Sequence, residues 1–284
     1  MDLSERSTEP ATRHPWELAR AHALRSILAR AGGSIGRLLD VGCGDGYAGL
    51  FVLGLWSTAG GGVVVGGGGG DDGLVGRAGA VGGAIYVGYD RELTDEQCRA
   101  WSDRARGIAF VNVAPSAGET FDTVLACDVI EHVADDVELV RWAWSRLVPR
   151  GRMLVTVPAF QALFSHHDLA LRHHRRYSLS GLRATLDEAE SPAQSSGYLF
   201  GSLLFPRLAS CAAEGLRRAA GKPPVGYGRP RGVGDWRLPA WSSQLIAGLL
   251  RAENRALVGL ASVGVTLPGL SVWALSVKPA AVVP

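Results

Sequence analysis

The sequence predicts an α/β protein with a doubly wound, mostly parallel seven-stranded sheet and a helical insertion before the last strand. Two patterns carry this expectation. Short apolar runs alternate with segments of helical period along most of the chain. The first apolar run also feeds directly into a glycine turn and then a helix, which is how a parallel sheet presents its carboxyl edge. A third observation bounds both: 284 residues with 47% hydrophobic side chains suffice to fill one large core.

The elements follow in order. Residues 15–31 read as a helix, with Trp16, Leu18, Ala19, His22, Ala23, Ile27 and Leu28 at helical spacing and Gly32-Gly33 as its stop. Residues 37–41 are a short strand, 42–46 a glycine loop, and a helix continues to about 56. Thirteen of the 24 residues from 60 to 83 are glycine, so 58–83 is expected to be a flexible insertion. It lacks the Lys-Ser/Thr that a phosphate loop needs. Strands are expected at 84–89, 108–113, 121–126 and 152–157, with helices at 95–104 and 135–147 and a turn at 149–151. Residues 178–190 read as a helix with Ser180 as a candidate cap, followed by a short strand at 197–200. Helices at 203–220 and 241–261 flank a Pro/Gly-rich stretch, and 270–277 is the last strand. One domain is expected, with a core at 14–177 and a helical accessory region at 199–262.

Composition excludes several classes. Lys plus Arg is 29 against 27 for Asp plus Glu, so nothing electrostatic argues for nucleic acid. Cys43, Cys98, Cys127 and Cys211 lie too far apart for a zinc knuckle or redox pair. The polar start of the chain lacks a signal-peptide core, which makes the cytoplasm the expected location. Residues 259–277 are uncharged and long enough to span a bilayer, but Pro268-Gly269 divides them into helix, turn and strand. The apolar stretch Leu199-Phe-Gly-Ser-Leu-Leu-Phe-Pro206 fits core packing. Arg217-Arg218 and Arg229 to Arg231 around it make peripheral contact with a membrane surface the alternative.

The chemistry concentrates at Leu38-Leu-Asp40-Val-Gly42-Cys-Gly44-Asp-Gly46. Glycines let backbone pass beneath a ligand, and the following helix offers free N–H groups. Gly44-Asp-Gly46-Tyr-Ala-Gly49 also matches a dinucleotide fingerprint, so the glycines alone leave a nicotinamide oxidoreductase open. The acids favour another ligand. Asp40 and Asp45 would repel a pyrophosphate and tolerate a cationic group, and Asp90 ends the next strand, where a carboxylate accepts both hydroxyls of a ribose.

These residues resemble the class I S-adenosylmethionine-dependent methyltransferases. Asp40-Val-Gly-Cys-Gly-Asp-Gly46 is similar to the first motif of that family, and Val87-Gly-Tyr-Asp90 to its second. Phe121-Asp-Thr-Val-Leu-Ala-Cys-Asp-Val-Ile-Glu-His-Val133 is similar to its fourth-strand motif, and Leu147-Val-Pro-Arg-Gly-Arg-Met-Leu154 to the turn and strand that follow. His14-Pro-Trp-Glu-Leu-Ala-Arg20 and His173-His-Arg-Arg-Tyr-Ser178 resemble segments of the small-molecule group related to quinone-biosynthesis methyltransferases.

The resemblance implies a Rossmann-like fold, S-adenosylmethionine as cofactor and a small-molecule acceptor. It implies a cofactor site of Trp16, Arg20, Asp40, Gly42, Gly44, Gly46, Asp90, Arg91, Asp128, Val129 and His132. Arg20 would fork onto the methionyl carboxylate. Asn112 stands near where the family has an acid for the adenine amine, and its amide oxygen is an acceptor in that place. A methyltransferase-like scaffold without transfer activity also fits the motifs. The segment 166–177, rich in His and Arg, is expected to form the acceptor side, with His174 or Tyr177 orienting or deprotonating the acceptor. No metal is expected there, since neither a Cys nor a helical His pair supports one.

Overall fold

The computed structural model describes residues 13–57, 62–63, 83–221 and 239–281. Most of the glycine-rich segment 58–83 and of the Pro/Gly-rich stretch 221–239 therefore lies outside the described residues. Nine strands are described: β1 (Leu38–Val41), β2 (Trp56–Ser57), β3 (Gly62–Val63), β4 (Tyr86–Tyr89), β5 (Ile108–Val111), β6 (Phe121–Cys127), β7 (Leu147–Pro158), β8 (Ala193–Leu199) and β9 (Ser271–Val277). The helices are α1 (Pro15–Arg30), α2 (Tyr47–Val52), α3 (Asp95–Ser102), α4 (Asp136–Ser145), α5 (His166–Ala170), α6 (Leu179–Glu188), α7 (Gly201–Ala219) and α8 (Ala240–Ala261).

Seven strands form one sheet in the order β5-β4-β1-β6-β7-β9-β8. The pairs from β5 to β7 are parallel, and β9 runs antiparallel between β7 and β8. Side chains alternate across the sheet. Leu38, Leu125, Leu154 and Leu275 pack on one face with α1 residues such as Leu24 and Leu28 and with Leu250 of α8. Leu39, Val41, Val124 and Val155 pack on the other with Val140 of α4 and Leu182 and Leu186 of α6. From β1 the chain builds outward to β4 and β5, then returns to start β6 on the other side of β1. The crevice at the carboxyl ends of β1 and β6 is thus a topological switch point.

Local chemistry moves several expected boundaries. Gly54 takes a left-handed φ of 77°, which stops α2 early and leaves Trp56 to pair with Val63 in a two-stranded ribbon. The turn expected at 149–151 lies inside β7, where Arg150 has φ 65° and the register against β6 shifts. Ser178 rather than Ser180 caps α6, accepting from the Gly181 amide at 2.9 Å. The apolar stretch from Leu199 to Pro206 divides. Leu199 and Phe200 are core, whereas α7 buries none of its residues. Phe205, Leu208 and Leu216 lie on its outer side, 72%, 47% and 73% exposed. Its inner side carries Arg207 and Cys211, both of which bond to Leu163. Core packing is therefore corrected for the outer side of α7; α8 buries Ala247, Leu250, Leu257 and Val258 and leaves Trp241, Leu245 and Leu249 exposed. Among the described residues no helix is long and apolar enough to cross a membrane.

Candidate active site

At the end of β1 the chain turns sharply under Tyr89. The amides of Gly42 and Cys43 donate to the Tyr89 carbonyl at 2.7 and 3.2 Å, and the Gly46 amide donates to the Cys43 carbonyl at 2.9 Å. Gly42, Gly44 and Gly46 all have positive φ. A Cβ on Gly42 would stand 2.6 Å from Val129 Cγ2, and one on Gly46 2.6 Å from Phe110 Cζ. The chain's own packing thus requires these glycines, before any ligand does.

The acids divide into two groups. Asp40 is buried beneath the turn and accepts from the Tyr86 hydroxyl at 3.1 Å. Burial raises its carboxyl to about 6, against the pull of the Tyr86 bond. Asp45 pairs with Arg13. The two acids that the sequence reading set against a pyrophosphate are therefore a buried group and a paired one. Asp90, Glu92 and Asp128 instead face the crevice. Asp90 accepts from the Gly44 amide at 3.1 Å and the Glu92 amide at 3.0 Å, which ties the end of β4 to the turn.

The crevice holds a cavity of about 520 Å3, within the range of small-molecule sites. Of the expected cofactor residues, Gly42, Asp90, Arg91, Asp128, Val129 and His132 line it. Gly44 is one bond behind through Asp90, and Asp40 and Gly46 support the turn from below. Arg20 sits behind Asp128, ion-paired to it, with its guanidinium 4.4 Å from the centre of the Trp16 ring. Its Nε is buried without a partner. Asn112 is not brought to this cavity. Its amide nitrogen donates to Asp95 Oδ1 at 2.7 Å and to the Leu93 carbonyl, beside a separate hollow on the α3 side. Sequence reading missed Tyr89, Leu139, Leu171 and Arg172, which also line the cavity. The strand-end position of Tyr89 was the available signal.

The segment 159–177 leaves β7, returns to it, and borders the cavity. Tyr177 re-pairs with the strand, its amide donating to the Pro158 carbonyl at 2.9 Å. Ala170, Leu171 and Arg172 are the parts that reach the cavity. The two residues expected to act on the acceptor do not. Tyr177 is buried, and its hydroxyl donates to Asp136 Oδ2 at 2.6 Å at the start of α4. Burial and that carboxylate push the phenol far above its ordinary range, which removes it as an acid or base. His174 is exposed and holds the segment through its backbone, its amide donating to the Glu131 carbonyl at 2.7 Å.

Asp168 organises this segment. It is fully buried and accepts from Arg176 Nε at 2.7 Å, Arg207 Nη2 at 2.6 Å, His173 Nδ1 at 3.0 Å and the Ser165 amide at 2.9 Å. Burial alone would raise its carboxyl. The bond from His173 and the charge of Arg176 outweigh this and hold it below the usual carboxylate range. Glu131 has the opposite environment. It is fully buried, neither carboxylate oxygen has a hydrogen-bond partner, and burial with the nearby charge of Asp128 pushes it well above the ordinary range.

No curated protein matches the sequence. Among solved structures the chain is similar to phosphoethanolamine N-methyltransferase 2 of Haemonchus contortus, at 14% identity and TM-score 0.48, over 90% of this chain and 52% of that one. It is similar to the plantazolicin methyltransferase BpumL at 12% identity and TM-score 0.46, over 93% and 85%. The YcgJ protein of Bacillus subtilis aligns at 15% identity and TM-score 0.45, over 91% and 98%. The family model described as "Methyltransferase domain" matches residues 16–190, more than half of the chain, and the chain belongs to that family.

Proposed function

We propose that this protein transfers a methyl group from S-adenosylmethionine to a small-molecule acceptor in the cavity between β1, β4 and β6. The observation that carries this reading is Asp90, a carboxylate at the end of β4 that is bonded to the glycine turn and faces the cavity. The surrounding residues fit the cofactor. Gly42 presents bare backbone to the cavity, Asp90 retains lone pairs for ribose hydroxyls, and Arg20 has a buried Nε without a partner for a carboxylate.

When bound, the cofactor supplies an electrophilic methyl group on a sulfonium. The protein's part is to hold, orient and exclude water. Gly42 brings backbone to the ligand, and Val41, Val129, Val133, Leu139 and Leu171 give the cavity apolar walls. His132 and Arg172 are polar side chains that line the cavity where the acceptor would sit. Calorimetric titration with S-adenosylhomocysteine, S-adenosylmethionine, NAD and NADP tests the reading. The first two are expected to bind one per chain, and binding of a nicotinamide cofactor alone would overturn it.

The outer stripe of α7 supports contact of this enzyme with an anionic lipid surface. Phe205, Leu208 and Leu216 are exposed there, and Arg217 and Arg218 lie in the last turn. Co-sedimentation with phosphatidylserine vesicles is expected for the parent. Loss of that binding is expected for Phe205→Ser/Leu216→Ser, and equal binding of both proteins would remove the contact.

A further inference from the structure

Three side chains that the methyl-transfer reading leaves without a shared role converge beside the cavity. Glu131 and His132 come from the short 3-10 turn after β6 (Ile130–His132), and His173 comes from the segment after β7. One ligand-capable atom from each lies within 4.8 Å of the others. The His132 and His173 rings meet edge to face, with centroids 4.6 Å apart. Glu131 contributes a fully buried carboxylate with both oxygens unpartnered. A buried anion without a cation or donor is costly, and a bound cation removes that cost.

We propose that Glu131, His132 and His173 form a binding site for one divalent transition-metal ion. Two imidazoles and one carboxylate are a donor set for zinc or ferrous iron rather than for magnesium or calcium, which prefer all-oxygen shells. The surroundings of His173 complete the argument. Its Nδ1 bonds to Asp168, so Nε2 is the nitrogen left to ligate, and a carboxylate behind a histidine is the usual support of a metal ligand. Asp168 is itself fixed by Arg176, Arg207 and Ser165, so the imidazole is oriented without the ion. Ligands at about 2.0–2.2 Å from one ion stand roughly 3–3.5 Å apart, so the three side chains close inward by about an ångström on binding. His132 also lines the cavity, which places the ion where an oxygen-bearing acceptor can reach it. This last point alone rests on the methyl-transfer reading.

The test uses the full chain, stripped with a chelator and titrated with zinc by calorimetry and with cobalt by visible absorption, without any cofactor. One ion per chain and a cobalt spectrum of mixed nitrogen and oxygen ligation are expected. Glu131→Gln and His173→Ala should each weaken binding by more than the roughly 10- to 100-fold that loss of a supporting carboxylate costs. His174→Ala, next in sequence but exposed, should leave it unchanged. Glu131→Gln keeps the size and polarity of the side chain and so keeps a folded readout if His173→Ala does not. Absence of stoichiometric binding, or binding that survives in Glu131→Gln or is lost with His174→Ala, would overturn the site. Because no cofactor is present, either result is independent of S-adenosylhomocysteine binding.

Discussion

The turn after β1 and the segment after β7 border the same cavity, yet they are held by opposite means. The turn is local. Backbone amides of Gly42, Cys43 and Gly46 satisfy carbonyls nearby, and Asp90 ties the turn to the end of β4. The segment after β7 is held by charge. Asp168 gathers Arg176, His173 and Arg207, the last from α7, into a buried cluster. Backbone geometry thus shapes the side of the cavity at the end of β1, and a long-range ionic centre shapes the side bordered by the segment after β7. The two halves should therefore fail differently when perturbed.

The largest effect is expected at the ionic centre. Asp168→Asn strands the buried Arg176 and the half-buried Arg207 without their carboxylate and should cost about 3–5 kcal/mol in denaturant unfolding. The same group sets a pH dependence. Its folded carboxyl lies below the unfolded one, so its contribution is complete above the ordinary carboxylate range and is lost as pH falls through the folded value. Acid unfolding of the parent should therefore be steeper than that of Asp168→Asn, and equal slopes would place the acid sensitivity elsewhere.

The turn should break by sterics instead. Gly42→Ala puts a Cβ against Val129 at a positive φ and should cost about 1–3 kcal/mol. Adding Val129→Ala should recover the steric part and leave the cost of φ, a split that thermal melts of the two variants resolve. Asp90→Ala acts on ligand as well as on the tie between β4 and the turn. It should weaken S-adenosylhomocysteine by about 1–3 kcal/mol, with Asp90→Asn in between because one acceptor oxygen remains. Unchanged affinity in Asp90→Ala would remove the ribose role.

The smallest effects fall on the residues first expected to act chemically. Tyr177→Phe removes the donor to Asp136, which Arg175 also contacts at 3.1 Å, and should cost about 1 kcal/mol of stability with turnover unchanged. His174→Ala should leave both within error. A fall in turnover with intact stability in either variant would reopen that assignment.

These cases show which physics a sequence displays. Gly42, Asp90, Arg91, Asp128, Val129 and His132 meet at one cavity because strand ends and glycine turns are local patterns, and a switch point brings strand ends together. The strand–helix alternation likewise gave the sheet, with boundaries shifted by Gly54 and Arg150. The positions of His174 and Tyr177 were not legible because nothing periodic governs 159–177. His173 faces Asp168 while His174 faces outward, and no spacing rule distinguishes two adjacent histidines in an irregular segment. Tyr177 was claimed by Asp136, and Asn112 by Asp95, through contacts between residues far apart in sequence. The outward stripe of α7 was hidden for a related reason. An apolar helix face reads the same whether or not a sheet lies against it.

The placement of β9 has a consequence for how the molecule is made. β9 lies between β7 and β8, antiparallel to both, although it is the last strand described. While the chain emerges from the ribosome, β7 therefore presents an open edge throughout synthesis of α6, β8, α7 and α8, and β8 has no neighbour in this sheet to pair with. The five parallel strands can assemble early, but the sheet closes only when residues 271–277 arrive. A nascent chain stalled before that point would carry two sticky edges, the form in which this protein is most exposed to aggregation and to chaperone capture.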